Sequence, residues 1–151
     1  MEIGNFASIV TDVEKVRWGF IGAGYIARIA LYPALLNSKY GEIFAVGSKD
    51  LDRGKSLSPS GLVYTDYEDL IADPSVEAIY ISLPNSLHIE WSIKAMRAGK
   101  HVLCEKPAAM NVAELKEAIS VSEETGLIFM EASWNRWHPR TLRLKEIIDY
   151  G

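Results

Sequence analysis

Val16-Arg17-Trp18-Gly19-Phe20-Ile21-Gly22-Ala23-Gly24-Tyr25-Ile26-Ala27 is the stretch that decides the fold. Arg17 to Ile21 is a short apolar run of strand character, and it leads directly into glycines and then a helical segment from Tyr25 to Leu36. Gly22, Gly24 and Ala27 therefore form a GxGxxA pattern between a strand and a helix, the context in which this weak motif becomes informative. Gly22 permits a tight turn, Gly24 lets the backbone approach a pyrophosphate, and Ala27 is small enough for the helix to lie close on the strand. Unpaired main-chain N–H groups and the positive end of the helix dipole favour an anion there. Tyr25 and Ile26, which open the helix, join these three as cofactor-binding positions.

Working outward, strand-like and helix-like segments alternate, the sequence form of an α/β domain with a doubly wound parallel sheet of the Rossmann type. Strands are predicted at Ile43–Ser48, Val63–Tyr64, Ala78–Leu83, His101–Cys104 and Leu127–Ala132. Asp66 is placed to cap a brief helix that stops before Asp73 and Pro74. The segment from Leu87 to Ala98 carries Ile89, Ile93 and Met96 at helical spacing, with Gly99 as its stop. Asn111 followed three residues later by Glu114 has the form of a capping box and opens a helix reaching Gly126. A last helix is predicted from Thr141 to Tyr150, ended by Gly151. The expected organisation is an N-terminal extension over residues 1–15 and a dinucleotide-binding domain over 16–151, cut before a second, substrate domain.

The chain of 151 residues is the size of one ordinary domain. A net charge of −4 gives no basic face for a nucleic-acid backbone, so small-molecule partners are favoured. The single cysteine, Cys104, excludes an internal disulfide framework and reads as a strand thiol in a reducing compartment. No apolar run reaches the roughly 18 residues that span a bilayer, and Met1 to Lys15 lacks the basic start and apolar middle of a secretory signal. A cytoplasmic protein without membrane partners is expected. The three histidines show no metal-ligand spacing.

The choice between NAD and NADP rests on the exit of the second strand, where an acidic residue would bond the ribose 2′-hydroxyl. Glu42 lies twenty residues after Gly22, but it begins the strand and belongs to the opposite edge of the sheet. The exit reads Gly47-Ser48-Lys49-Asp50, offering a hydroxyl and a cation to a 2′-phosphate before any carboxylate, which favours NADP. The alternative, NAD, has Lys49 as a solvated lysine and Asp50 turned back to the ribose.

Val16 to Ala27, Leu83-Pro84-Asn85 with His88, and above all Gly99-Lys100-His101-Val102-Leu103-Cys104-Glu105-Lys106-Pro107 resemble the glucose-fructose oxidoreductase, inositol dehydrogenase and MocA family. Met130-Glu131-Ala132 with Trp134, Arg136 and Pro139 is most similar to the branch containing glucose-fructose oxidoreductase and dimeric dihydrodiol dehydrogenase. That branch commonly uses NADP, and Ser48 stands where NAD-using members often carry an aspartate. The resemblance implies hydride transfer at a sugar, polyol or dihydrodiol carbon, with Lys106 binding and activating the substrate oxygen and a partner acid on a second domain. Lys106 leaves the carboxyl end of a parallel strand, where open α/β sheets place ligand-binding groups, and an ammonium there can polarise an alcohol or carbonyl oxygen.

The same resemblance has Glu105 orienting the lysine or contacting the nicotinamide riboside, and Pro84, Asn85 and His88 lining the cleft. Read on its own, His88 is a satisfied histidine at a helix start. Trp134 and Arg136 are implied as cofactor contacts, the alternative being burial, with Trp137 and His138, against a second domain. Exposed apolar surface allows a homo-oligomer. A different class, a cofactor-binding regulator or inactive homologue without turnover, is disfavoured by the retention of Glu105 and Lys106.

Overall fold

The computed structural model describes residues 14–150. Most of the expected N-terminal extension, residues 1–13, and Gly151 lie outside the described residues. Six strands form one sheet: β1 (Val16–Ile21), β2 (Gly41–Gly47), β3 (Val63–Tyr64), β4 (Ala78–Ile81), β5 (His101–Cys104) and β6 (Phe129–Glu131). Every pairing is parallel and the order is β3-β2-β1-β4-β5-β6, the doubly wound Rossmann arrangement expected from the alternating pattern. The chain runs outward from β1 to β3, then returns to the other side of β1 for β4. That reversal opens a crevice beyond the carboxyl ends of β1 and β4, where such sheets bind ligands.

Both faces of the central strands are buried, and side chains alternate with a period of two. Phe20, Val46 and Tyr80 pack with Ala27 and Leu57 on one face. Ile21, Ile79, Ile81, Val102 and Cys104 pack on the other with Leu70, Ile93, Met96, Ala118 and Val121. These come from α3 (Tyr67–Ala72), α4 (His88–Arg97) and α5 (Val112–Thr125). Beyond the reach of the first helix, the face carrying Tyr80 is open at Leu103 and Met130.

The first helix departs from the regular form expected over Tyr25–Leu36. A π-helical turn spans Ala27–Leu31 before the α-helix α1 (Tyr32–Leu36). Pro33 is the reason: it has no N–H for the carbonyl of Ile29, and its ring crowds that carbonyl, so the preceding turn widens. Expected caps are made at α3, where Asp66 accepts from Glu68 N at 3.0 Å, and at α5, where Asn111 accepts from Glu114 N at 3.0 Å. The Glu114 carboxylate reaches back to Met110 N at 3.0 Å. Strands β4 and β6 are shorter than predicted. Ser82 N still donates to Ile21 O at 2.9 Å, but β4 loses its partner where β1 ends at Ile21 and turns through Gly22, and β6 is an edge strand limited by four-residue β5. The last helix, α6, spans Pro139–Tyr150.

The turn before β5 is held by Lys100. Only 6% exposed, it donates from Nζ to Asp73 O and Val76 O at 2.7 Å each, and burial lowers its pKa. Cys104 is wholly buried, and burial pushes its thiol up to about 12, so it stays protonated at neutral pH. No helix among the described residues is long and apolar enough to cross a membrane.

Candidate functional site

At the end of β1 the chain turns through Gly22 at φ +96°, and Gly22 N donates to Gly47 O at 2.9 Å. A side chain here would meet Ser82 O at 3.0 Å. Gly24 differs: a Cβ there would have no neighbour nearer than Ser82 O at 3.9 Å. The space above Gly24 is therefore open, as a group that admits a dinucleotide pyrophosphate requires. Ala27 is fully buried against the sheet, Tyr25 is exposed, and Ile26 faces a neighbouring cleft.

The exit of β2 arranges four polar residues. Ser48 is buried and its hydroxyl accepts from Asp50 N at 3.2 Å. Asp50 caps α2 (Leu51–Lys55), accepting from Arg53 N at 3.0 Å, and its other oxygen lies 3.8 Å from Arg53 Nε. Lys49 is exposed, its Nζ 5.0 Å from the centre of the Tyr67 ring. The edge thus presents Lys49 and Arg53, while its carboxylate is engaged within the chain. Glu42, at the far end of β2, accepts from the Ser60 hydroxyl at 3.2 Å.

Beyond β4, Pro84 and Asn85 are exposed and Leu83 is half-buried. His88 is 1% exposed and has both ring nitrogens engaged with main-chain carbonyls, Nε2 at 2.8 Å from Leu83 O and Nδ1 at 2.8 Å from Pro107 O. Its side chain bridges the loop after β4 to the loop after β5 and belongs to the support of the cleft.

Lys106 is exposed at the exit of β5, joined to Pro107 by a cis peptide bond. Glu105 is half-buried. Its Oε1 accepts from the Tyr80 hydroxyl at 2.8 Å and its Oε2 from Lys106 N at 3.2 Å. Past the proline, Ala108 N donates to Glu131 at 3.0 Å, and the other Glu131 oxygen accepts from the Ser133 hydroxyl at 2.7 Å. Those two contacts, the main-chain N–H first, hold the Glu131 carboxyl below the usual carboxylate range. The Lys106 loop is thereby fastened from β4, α4 and β6.

A cleft of about 460 Å³ opens beside Glu105 and Lys106, with Ile26, Tyr80, Leu103 and Met130 among its walls. Trp134 and Trp137 line its outer side from the short turn Trp134–Trp137 and are 66% and 61% exposed. Arg136 lies 5.8 Å from the Trp137 ring centre. No group of three potential metal ligands occurs among the described residues.

Sequence reading missed three of these parts. Arg53 carried a signal, since Asp50 is a cap residue and α2 brings position 53 back beside it. Tyr80 sits inside an apolar strand, yet a buried tyrosine hydroxyl requires a partner. Glu131 stands in a recognisable motif, but nothing local to it signals its bond to Ala108 N, 23 positions away.

Residues 16–133 match the GFO_IDH_MocA model, an oxidoreductase family with an NAD-binding Rossmann fold. Over 142 residues the chain is 41% identical to an uncharacterised oxidoreductase, ORF334, of Rhizobium meliloti, covering 92% of this chain and 42% of that protein. It is 34% identical over 141 residues to trans-1,2-dihydrobenzene-1,2-diol dehydrogenase of Mus musculus, covering 90% and 42%. KijD10, a 3-ketoreductase from Actinomadura kijaniata solved with NADP and TDP-benzene, superposes with a TM-score of 0.86 at 34% identity, covering 91% of this chain and 43% of that one. The chain spans about two fifths of the length of these relatives. Because the family match runs from the first strand through the last, the chain belongs to the GFO/IDH/MocA oxidoreductases and is an NAD(P)-binding domain of that family.

Proposed function

We propose that this chain is the NADP(H)-binding part of an oxidoreductase acting on a carbon–oxygen bond of a sugar, polyol or dihydrodiol. The observation that carries the reading is the convergence of the open Gly22–Gly24 turn and Lys106 on the same carboxyl edge of the sheet, on either side of its switch point. The Gly24 main chain and the start of the first helix would receive the pyrophosphate. Lys49 and Arg53 would receive the 2′-phosphate, a reading supported by the engagement of Asp50 with α2 and Arg53. The dinucleotide, when bound, supplies or accepts the hydride. Lys106 holds its ammonium toward the substrate oxygen and stabilises the charge that gathers there, while Glu105 fixes the main chain beneath it.

Leu83, Pro84 and Asn85 would flank the nicotinamide ribose, and Trp134 and Arg136 the outer wall. The 460 Å³ cleft and its exposed tryptophans are the face that a second, substrate-binding domain would close. Its small-molecule substrate would enter between the two.

The test is a titration of NADPH and NADH by nicotinamide fluorescence on the wild type and on Lys49→Ala. Tighter binding of NADPH, with the preference lost in the variant, is expected. Failure of both dinucleotides to bind overturns the reading, and a preference for NADH overturns the assignment to NADP.

A further inference from the structure

Tyr80 occupies the third position of four-residue β4, between Gly-bearing β1 on one side and β5 on the other, paired with Phe20 and Leu103. Its ring is 1% exposed and meets Phe20 edge to face at 5.1 Å. An isolated hydroxyl in that position would be a poor choice for a sheet core, where phenylalanine fills almost the same space. The hydroxyl nevertheless has one partner, Glu105 Oε1 at 2.8 Å, on the loop that carries Lys106. The second Glu105 oxygen lies 3.2 Å from Lys106 N. Burial, and then the bond to Glu105, hold the Tyr80 hydroxyl above the ordinary phenol range, so it remains a donor.

We propose that Tyr80 is a positioning residue: its hydroxyl locks the Glu105 carboxylate so that Glu105 grips the Lys106 main chain and sets the nicotinamide end of the cofactor site. The inference rests on the reading of the site as a dinucleotide site and adds a division of labour within it. Glu105 has one oxygen on Tyr80 and the other on its own loop, so it shapes the site from below. The adenosine end, at Gly24, Lys49 and Arg53, is built from β1, β2 and α2 and shares no hydrogen bond with this pair.

The two ends can be read separately with two probes, NADPH and adenosine 2′,5′-bisphosphate, which lacks the nicotinamide half. Tyr80→Phe keeps the ring and its contact with Phe20 and removes the hydroxyl alone. NADPH binding is expected to weaken about 10- to 100-fold, as for loss of one hydrogen bond to a charged group, while the bisphosphate binds as in the wild type. Glu105→Gln approaches the same pair from the half-buried side. It should weaken NADPH selectively as well, and the double variant should lose little beyond either single change.

Equal weakening of both probes would make Tyr80 a general structural residue and overturn the proposal, as would unchanged NADPH binding in Tyr80→Phe. Additive losses in the double variant would separate the two residues and overturn it too. If the wild type binds neither probe, the dinucleotide reading itself fails and takes this inference with it; a wild type that binds both isolates the outcome to Tyr80.

Discussion

Gly22 and Gly24 stand two residues apart in one motif, yet the structure assigns them opposite sensitivities to a single added methyl. Gly22→Ala places a side chain at φ +96°, 3.0 Å from Ser82 O and 3.1 Å from Ser82 Oγ. The left-handed backbone costs about 1–3 kcal/mol for a residue other than glycine, and the contact with main chain adds to it, for a total of about 2–4 kcal/mol. For a chain of this size that lowers Tm by roughly 5–15 °C. Gly24→Ala meets nothing nearer than 3.9 Å, so stability should change by less than about 1 kcal/mol. On the proposed reading its methyl projects into the space that a pyrophosphate would take. Loss of two charge-assisted main-chain contacts would weaken NADPH by at least about 100-fold. Calorimetry and nicotinamide fluorescence on the two variants measure both quantities. A Gly24→Ala protein that melts early and binds normally would refute the assignment of the cofactor to this turn.

Glu131 makes the site sensitive to acid. Since its carboxyl is held below the usual range in the folded chain, the stabilisation is complete above the ordinary glutamate range, about pH 4.3, and is lost as pH falls through the lowered value. The stability gap between wild type and Glu131→Gln should therefore narrow on acidification, and a gap constant from neutral pH to full acid unfolding would contradict the role given to Ala108 N and Ser133. His88→Leu fills similar space but removes the ring nitrogens that meet Leu83 O and Pro107 O. A loss of about 1–3 kcal/mol in urea denaturation is expected, and an unchanged midpoint would show that the bridge holds nothing.

The sheet and its binding edge were legible because the relevant signals are local. A strand, two glycines and a helix follow one another within Val16–Ala27, and apolar runs mark each later strand. What stayed hidden depends on residues distant in sequence meeting in space. Tyr80 and Glu105 are separated by 25 positions, and Glu131 reaches Ala108 across 23. His88 illustrates the middle case: its place at a helix start was readable, but its two carbonyl partners exist only once the loops after β4 and β5 lie side by side. The first helix was expected to be regular over Tyr25–Leu36, although Pro33 carried the signal of its irregular turn, since a missing N–H and a crowded carbonyl are properties of the residue itself.

Two lysines bracket β5, and the fold gives them different fates. Lys100 keeps its amine wrapped between two carbonyls of a turn on the amino-terminal edge of the sheet, so it is a rivet. Lys106 presents its amine to solvent on the carboxyl edge. An amine-directed reagent would mark the second and pass over the first, and a bound dinucleotide would shield only the residue it reaches. The short motif that carries both lysines thus contains its own internal standard: one amine reports whether the protein is folded and, on the proposed function, the other would report whether the site is filled.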